Sequence, residues 1–167
     1  MFWSIIADIR ERIPGIAITT DIIVGFPGEG DKDFEESIEN TVKCQFSDIH
    51  IFKYSPRNGT AAAGMEGQVT EHKKNSRALQ LRGVKQQARY NYYSRFLGRE
   101  ELMTPLRRSG DSIWEGVTSH NFPVFMQADA PPDGIIPVKI TGITASHDAF
   151  TAERIRVYTH SSDIRFS

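Results

Sequence analysis

Two apolar segments, each running into a loop with glycine and proline, constrain the fold most. The first is Asp21–Glu29 (DIIVGFPGE), and the second, Phe52–Thr60 (FKYSPRNGT), follows after about one helix length. Residues 16–24 are mostly apolar and rich in β-branched side chains, which predicts a parallel strand covered on both faces. A strand, a helix and a second strand in this order form one βαβ crossover. Such a unit is half of a nucleotide-type pocket.

Helical patterns surround this unit. Apolar residues at helical spacing predict a first helix that Pro14 and Gly15 terminate. Asp31 or Asp33 is expected to cap the crossover helix, because both begin its acidic first turn. Residues 48–54 are predicted to form the second strand, and residues 70–97 one long helix.

The chain after Gly98 changes character. Short β-rich runs alternate with turn signals, at 102–106, 112–118, 122–128, 135–144 and 149–157. Five short strands in about 60 residues predict a small closed barrel of the OB type. The predicted fold class is therefore α/β followed by all-β, with one domain at 1–97 and a second at 98–160.

Charge is distributed unevenly along the chain. Residues 1–71 carry 12 acidic and 6 basic side chains, residues 72–99 carry 8 basic and no acidic ones, and residues 100–167 carry 9 acidic and 6 basic ones. A basic block between acidic ones indicates either a surface for a polyanion such as RNA or a solvated helix face. The candidate nucleic-acid contacts are Lys73, Lys74, Arg77, Arg82, Lys85 and Arg89.

Cysteine and histidine usage limits the chemistry. The chain holds one cysteine, Cys44, so it can form neither an internal disulfide nor a cysteine cluster. A single cysteine is typical of a reducing compartment and predicts a cytoplasmic protein. The five histidines show no metal-ligand spacing, so we predict no metal site and assign no catalytic residue. No apolar stretch approaches the ~20 residues of a membrane span, so no membrane partner is expected.

The loop Gly25–Gly30 does not match the known phosphate-binding loops. Asp31 stands where a Walker loop needs lysine, and Asp33 stands where the dinucleotide loop needs glycine. A tight strand-to-helix turn is the structural interpretation of this loop. The functional interpretation is a site for a neutral or cationic ligand.

Four residues carry the ligand interpretation. Two of them, Glu29 and Asp21, can meet hydroxyls or a positive centre of a ligand. Gly25 lets the backbone approach an adenine closely, and Ile23 offers an apolar face. Asp21 lies within an apolar strand, where a carboxylate is costly unless it is paired. Either Arg57 at the end of the neighbouring strand or a ligand can pair with it. Tyr54, Phe122 and Phe125 are either core residues or stacking partners for bases.

Several ordered motifs closely resemble the radical S-adenosylmethionine methylthiotransferases over roughly residues 5–97. They are the run TTDIIVGFPGE, the acidic start of the next helix, the run HIFKYSPRNGTAA, then Met65, Gly67-Gln68-Val69 and the basic helix. The tail, with Gly116-Val117-Thr118 and Asn121-Phe122, is similar to the TRAM domain that ends these proteins. Details of the motifs most resemble the tRNA branch that acts on N6-threonylcarbamoyladenosine. The isopentenyladenosine tRNA branch is second and the ribosomal-protein branch third.

The resemblance implies a transferase that adds a methylthio group to a modified tRNA adenosine by radical chemistry. Its cofactors are S-adenosylmethionine and two 4Fe–4S clusters, which cysteines of more N-terminal domains hold in the family. Asp21, Ile23, Gly25 and Phe52 fall on strands that flank the adenine, and Arg57 is a further cofactor candidate without an assigned role. The chain thus looks like the C-terminal portion of such an enzyme, a partial (β/α) barrel plus TRAM.

Three hypotheses follow. The chain is an enzyme part that is inactive without the cluster-binding domains, an RNA-binding module that retains tRNA as its partner, or a remnant without function. Two strands alone leave a sheet edge unpaired, so self-association through that edge is expected.

Overall fold

The computed structural model describes residues 2–155, in which the chain divides into two units between Arg95 and Phe96. The predicted domain at 98–160 ends outside the described residues, as does the predicted strand beyond residue 155. Both units contain the predicted type of secondary structure. An α/β unit followed by a small all-β barrel confirms the predicted fold class.

The first unit contains one parallel strand pair and three helices: α1 Phe2–Arg12, β1 Thr19–Val24, α2 Asp31–Cys44, β2 Asp48–Lys53 and α3 Glu71–Tyr93. β1 and β2 run parallel in a register that places Thr19 opposite Asp48 and Val24 opposite Lys53. α2 is therefore the predicted crossover helix. α3 ends four residues earlier than predicted, because the chain continues as a 3₁₀ turn at Ser94–Phe96.

The core of this unit lies on one side of the β1–β2 sheet. Val24 packs with Phe34, Ala78 and Leu81 in one buried cluster. A second cluster joins Ile6, Cys44, Phe46 and Ile49. Ile49 and Leu81 are completely buried, and each such side chain stabilises the fold by roughly 1.5–3 kcal/mol.

The start of α2 differs from the prediction that Asp31 or Asp33 is the capping residue. The N-cap position is occupied by Gly30. The Asp33 carboxylate reaches back from the third helical position and accepts a hydrogen bond from the Gly30 N–H at 2.8 Å. A carboxylate in the first turn also favours the positive end of the helix dipole.

The second unit is a closed five-stranded barrel formed by β3 Glu100–Arg108, β4 Ile113–Thr118, β5 Pro123–Gln127, β6 Ile136–Ile143 and β7 Phe150–Arg154. Its strand order is β3-β4-β5-β7-β6, with β6 returning to β3. β5 and β7 are parallel, and the other neighbouring strands are antiparallel. Fully buried side chains such as Met103, Val138 and Phe150 fill the interior. The barrel confirms the five-stranded prediction.

Candidate functional site

One face of the β1–β2 sheet is open to solvent. Burial alternates along β1, with Asp21 and Ile23 exposed and Ile22 and Val24 facing the helices. The expectation that this strand is covered on both faces is therefore wrong for the described residues. The cause is geometric, because α1, α2 and α3 all pack against the same side of the sheet.

Three of the predicted cofactor residues share this open face. The register places Ile23 directly opposite Phe52 and Asp21 directly opposite His50. Ile23 is 56% exposed and Phe52 is 51% exposed, an unusual state for large apolar side chains in a parallel sheet. Near the carboxyl ends of the strands, this face carries the apolar pair Ile23 and Phe52. Two residues earlier on each strand, it carries the polar pair Asp21 and His50.

Asp21 has a different environment from the one predicted. Its side chain is exposed, so the carboxylate carries no burial cost. No ion pair joins Asp21 to Arg57 among residues 2–155, so of the two alternatives for Asp21 the buried ion pair is not formed. Arg57 lies exposed in the loop after β2.

His50 is a residue of this face that the sequence analysis did not single out. It lies exposed beside Asp21, two positions before Phe52 on the same strand. Residues two apart on a strand point to the same side of the sheet. The period-two spacing from Phe52 is therefore the signal that places His50 on this face.

The loop Gly25–Gly30 closes the carboxyl end of β1. The Glu29 carboxylate accepts hydrogen bonds from the N–H groups of Gly25 and Phe26, the latter at 3.1 Å. The Gly28 N–H donates to the carbonyl of Gly67 at 2.9 Å. Gly25 and Gly28 adopt φ values of 75° and 85°, which suit glycine. The structural interpretation as a tight turn thus describes the backbone.

The structure gives a steric reason for glycine at position 25 that does not involve a ligand. A Cβ at this position would overlap Lys74 Cγ and would lie 3.1 Å from Lys74 Cδ. The Lys74 side chain is only 5% exposed, and its Nζ lies 2.9 Å from a Glu71 oxygen. The same Nζ lies 5.5 Å above the ring of Tyr54.

Arg77 is the second buried cation beneath the loop, with a side chain that is 2% exposed. It donates to the carbonyls of Glu29 at 3.2 Å and Gly30 at 2.9 Å, and to Asp31 Oδ1 at 3.0 Å. Hydrogen bonds from Lys73 and then from Arg77 hold the pKa of Asp31 below its ordinary value.

The six predicted nucleic-acid residues are therefore not one exposed basic surface. Lys74 and Arg77 are buried, and Lys73 lies 2.8 Å from Asp31. Lys85 and Arg89 converge on Asp48 at 3.3 and 2.7 Å. Arg82 is exposed, and no ion pair to it is found in the part of the chain that the structure describes.

Asp48 is a structural acid at the start of β2. Burial acts to raise the pKa of its carboxyl, but the Arg89 hydrogen bonds, the Ile49 N–H and the charges of Arg89 and Lys85 outweigh it. The net effect lowers the pKa of Asp48. Acids of the first unit thus neutralise much of the basic block.

A concave feature of the first unit lies among its helices and not on the open sheet face. A groove of about 560 Å³ runs between α2 and α3, with Val42, Phe46, Val84 and Tyr92 among its walls. None of the predicted cofactor residues lines it. The open sheet face is the better candidate site, because it gathers the predicted residues at the strand ends where α/β sheets bind ligands.

The described residues offer no metal site. Across residues 2–155, no three His, Cys, Asp or Glu side chains are placed to hold a metal ion. Cys44 is 2% exposed, and burial raises the pKa of its thiol. One buried thiol does not fit an iron–sulfur cluster, which needs several thiolates. His160 lies outside the described residues, and within them no helix is long and apolar enough to cross a bilayer.

Comparison with known proteins identifies the relatives. No protein-family model matches the chain. It is 38% identical over 143 residues to the tRNA-2-methylthio-N(6)-dimethylallyladenosine synthase of Acetivibrio thermocellus, covering 84% of this chain and 30% of the relative. The synthase of that name from Bartonella bacilliformis is 33% identical over 92% of this chain and 33% of its own length. The homologues are tRNA methylthiotransferases.

A second type of methylthiotransferase also matches. The threonylcarbamoyladenosine tRNA methylthiotransferase MtaB of Thermotoga maritima is 44% identical over 99 residues, which is 59% of this chain and 23% of the relative. The chain thus spans about a third or less of the length of these curated relatives.

Proposed function

We propose that this chain is the C-terminal portion of a tRNA methylthiotransferase, which when whole adds a methylthio group to a modified adenosine. The homology of more than four fifths of the chain to such enzymes carries the proposal. In it, residues 1–97 are the last elements of a radical (β/α) barrel and residues 98–160 are a TRAM domain. We place the proposed activity in the cytoplasm, since a single cysteine is typical of a reducing compartment.

The open face of the β1–β2 sheet is proposed as a contact surface for S-adenosylmethionine. Ile23 and Phe52 provide an apolar surface for an adenine, and the exposed Asp21 carboxylate can accept hydrogen bonds from ribose hydroxyls. The chemistry of these residues fits an adenosyl group.

Two of the five predicted cofactor residues have more limited roles. Gly25 is buried under the Lys74 side chain, so we propose that it shapes the loop that borders the ligand. Arg57 is exposed beyond the end of β2, where its guanidinium is free to reach a carboxylate such as that of a methionine moiety. Both remain candidates within the proposal.

The radical chemistry comes from iron–sulfur clusters, and we propose that polypeptide outside this chain holds them. A cluster held there would supply the electron for cleavage of S-adenosylmethionine. The 167-residue chain alone is therefore expected to be inactive. Reconstitution with iron and sulfide tests this, with cluster absorbance and cleavage of S-adenosylmethionine as the readouts. Appearance of both would overturn the division of labour.

The proposed substrate is N6-threonylcarbamoyladenosine. The segment HIFKYS, followed by Met65 and Gly67-Gln68-Val69, supports this branch. A second candidate is isopentenyladenosine, since the matches that extend over both units are to dimethylallyladenosine synthases. The ribosomal-protein branch stays the third candidate, as its motifs predict.

tRNA is the proposed macromolecular partner. The exposed Arg82 is a candidate phosphate contact. The other three exposed or half-buried cations pair with Asp31 or Asp48 in the structure and could bind a phosphate only by giving up that ion pair; they are Lys73, Lys85 and Arg89. Phosphate-dominated binding weakens steeply as salt rises. Titration of tRNA into the chain at two salt concentrations tests the partner, and undetectable or salt-independent binding would reject it.

Substitution of single cations sharpens the tRNA test. We expect Arg82→Gln to weaken tRNA binding. We also expect the salt slope, which is the slope of the logarithm of the binding constant against the logarithm of the salt concentration, to fall by about one in magnitude, as the loss of one phosphate contact predicts. Gln80→Ala, an exposed neighbour on α3, is the control and leaves the slope unchanged. An unchanged slope in Arg82→Gln removes this residue from the interface.

A further inference from the structure

One side of the first turn and a half of α3, which carries Lys74 and Arg77, packs against the Gly25–Gly30 loop. Lys74 and Arg77 are three residues apart, which places them on one face of the helix. Both side chains are buried, at 5% and 2% exposed. Lysine and arginine are rarely buried unless they are paired, so their partners indicate what they do.

Arg77 holds the carbonyl side of the loop. Its guanidinium donates to the carbonyl oxygens of two consecutive residues, Glu29 and Gly30, at 3.2 and 2.9 Å. It also lies 3.4 Å from the Glu29 carboxylate, which in turn accepts from the N–H groups of Gly25 and Phe26. A single side chain thus connects the N–H side and the carbonyl side of the same turn.

Lys74 holds the other end of the loop. Its aliphatic stem occupies the space that a side chain at position 25 would need. Its ammonium group is fixed by Glu71 at 2.9 Å and lies over the ring of Tyr54. Tyr54 also makes an edge contact with Phe26, with the ring centroids 5.3 Å apart. The loop after β1, the residue after β2 and the start of α3 are therefore one connected cluster.

We propose that Lys74 and Arg77 are positioning residues for the ligand face of the sheet: they fix the Gly25–Gly30 loop at the carboxyl end of β1, where it borders the exposed Ile23 and Phe52. The inference rests on the proposed function, since it takes the ligand to be an adenosyl cofactor. A loop that is ordered before binding loses less conformational entropy when the ligand arrives. It also follows that these two cations do not contact tRNA phosphates.

Amide hydrogen exchange of the 167-residue chain tests the positioning directly, without any ligand. The first variant is Arg77→Lys, which keeps the charge but loses the planar pair of donors. The second is Lys74→Met, which keeps the aliphatic stem but removes the ammonium group that lies over Tyr54, the ring that contacts Phe26. We expect the Gly25, Phe26 and Gly28 amides to exchange about tenfold faster in either variant, a loss of roughly 1.4 kcal/mol of protection. The amides of Ile49 and Ile51 report whether β2 stays intact.

Lys32→Met is the matched control. Lys32 is exposed on the first turn of α2, close in sequence to the same loop, and the substitution is chemically identical to that at position 74. We expect it to leave the three loop amides unchanged. Wild-type exchange rates at these amides in Lys74→Met and Arg77→Lys would overturn the inference. If Arg77→Lys does not fold, Lys74→Met alone decides.

Titration of S-adenosylhomocysteine separates this inference from the proposed function. Absence of binding to the wild-type chain counts against the adenosyl site, while the exchange experiment still decides whether the two cations fix the loop. Where the wild-type chain binds, we expect Arg77→Lys to bind about tenfold more weakly and Lys32→Met to bind equally well. Equal affinity in Arg77→Lys would overturn the positioning role and leave the adenosyl site standing.

A tRNA titration of Lys74→Met provides the remaining readout. A buried lysine that fixes a loop contributes no phosphate contact, so the salt slope of tRNA binding stays at the wild-type value. A slope smaller by about one would show that Lys74 reaches the RNA, and this result would overturn the inference.

Discussion

At the scale of single residues, Gly25 illustrates how one position depends on a neighbour far along the chain. Its φ of 75° is left-handed, and Lys74 occupies the space where a Cβ would be. Gly28 has a similar φ of 85°, but a Cβ there would meet nothing within 4 Å. The two glycines therefore separate the cost of the backbone conformation from the cost of steric overlap.

We expect Gly25→Ala to lower the free energy of unfolding of the first unit by about 2–4 kcal/mol. About 1–2 kcal/mol comes from the left-handed backbone, and the rest comes from the displacement of Lys74. Gly28→Ala is the control and loses only the backbone part. Urea unfolding measures both, and an equal loss in the two variants would show that Lys74 does not restrict position 25.

Asp48 gives a second prediction at this scale, a pH dependence. The pKa of its carboxyl is lowered in the folded chain, so the stabilising charge is fully present above the unfolded value of about 3.9 and is lost as the pH falls through the folded value. We expect Asp48→Asn to lose about 2 kcal/mol at pH 7. The difference from wild type shrinks below about pH 4 and disappears below the folded pKa.

Thermal unfolding at pH 7 and at a series of acid pH values measures this difference. Asp111→Asn, an exposed acid in the second unit for which no ion pair is found within residues 2–155, is a control with little effect at any pH. A destabilisation by Asp48→Asn that is the same at all pH values would contradict the ion-pair account.

At the scale of elements, the two faces of the β1–β2 sheet have different roles. Ile49 is completely buried against the helices, whereas Phe52 on the same strand is 51% exposed. We expect Ile49→Ala to lose about 2–5 kcal/mol, as buried isoleucines do. Phe52→Ser on the open face loses less than about 1 kcal/mol but weakens binding of S-adenosylhomocysteine.

Calorimetry measures the free energy of unfolding and the affinity for S-adenosylhomocysteine of both variants. A residue that binds a ligand need not stabilise the fold. Ile49→Ala is therefore expected to change mainly the free energy of unfolding, and Phe52→Ser mainly the ligand affinity. A large loss of stability in Phe52→Ser, with unchanged ligand affinity, would mean that the open face is structural.

The sequence predicted these elements well because their periodicity is local. The strands, the crossover and the five-stranded barrel follow from alternation, helical spacing and turn residues. The one-sided burial of the sheet was not predictable in this way, since strands with both faces apolar look alike whether or not the second face is covered. The direction of the cations on α3 was not predictable either, because Lys74 and Arg77 pair with Glu71, Glu29 and Asp31, and the last two lie more than 40 residues away in sequence.

At the scale of the whole molecule, the open apolar face leads us to expect association. Exposed apolar side chains on a sheet with unpaired edges favour contact with a second chain. We expect the 167-residue chain to self-associate, as measured by light scattering at increasing concentration. The double substitution Ile23→Ser/Phe52→Ser is expected to shift the population toward monomers.

Leu79→Ser is the matched control for association. Leu79 is 66% exposed on α3, so its replacement removes an apolar side chain that is about as exposed as Ile23 or Phe52 without touching the sheet. We expect it to leave the association unchanged. A chain that is monomeric at all concentrations, or one that Leu79→Ser renders monomeric equally well, would contradict association through the sheet.

The most direct test replaces the matched 99 residues of the Thermotoga maritima relative with those of this chain and measures methylthio-modified adenosine in cellular tRNA by mass spectrometry. A portion with the same role restores the modified nucleoside, and Ile23→Asp/Phe52→Asp in the same chimera abolishes it. A chimera that folds and holds its iron–sulfur clusters but yields no methylthio product would contradict the assignment of this chain to such an enzyme.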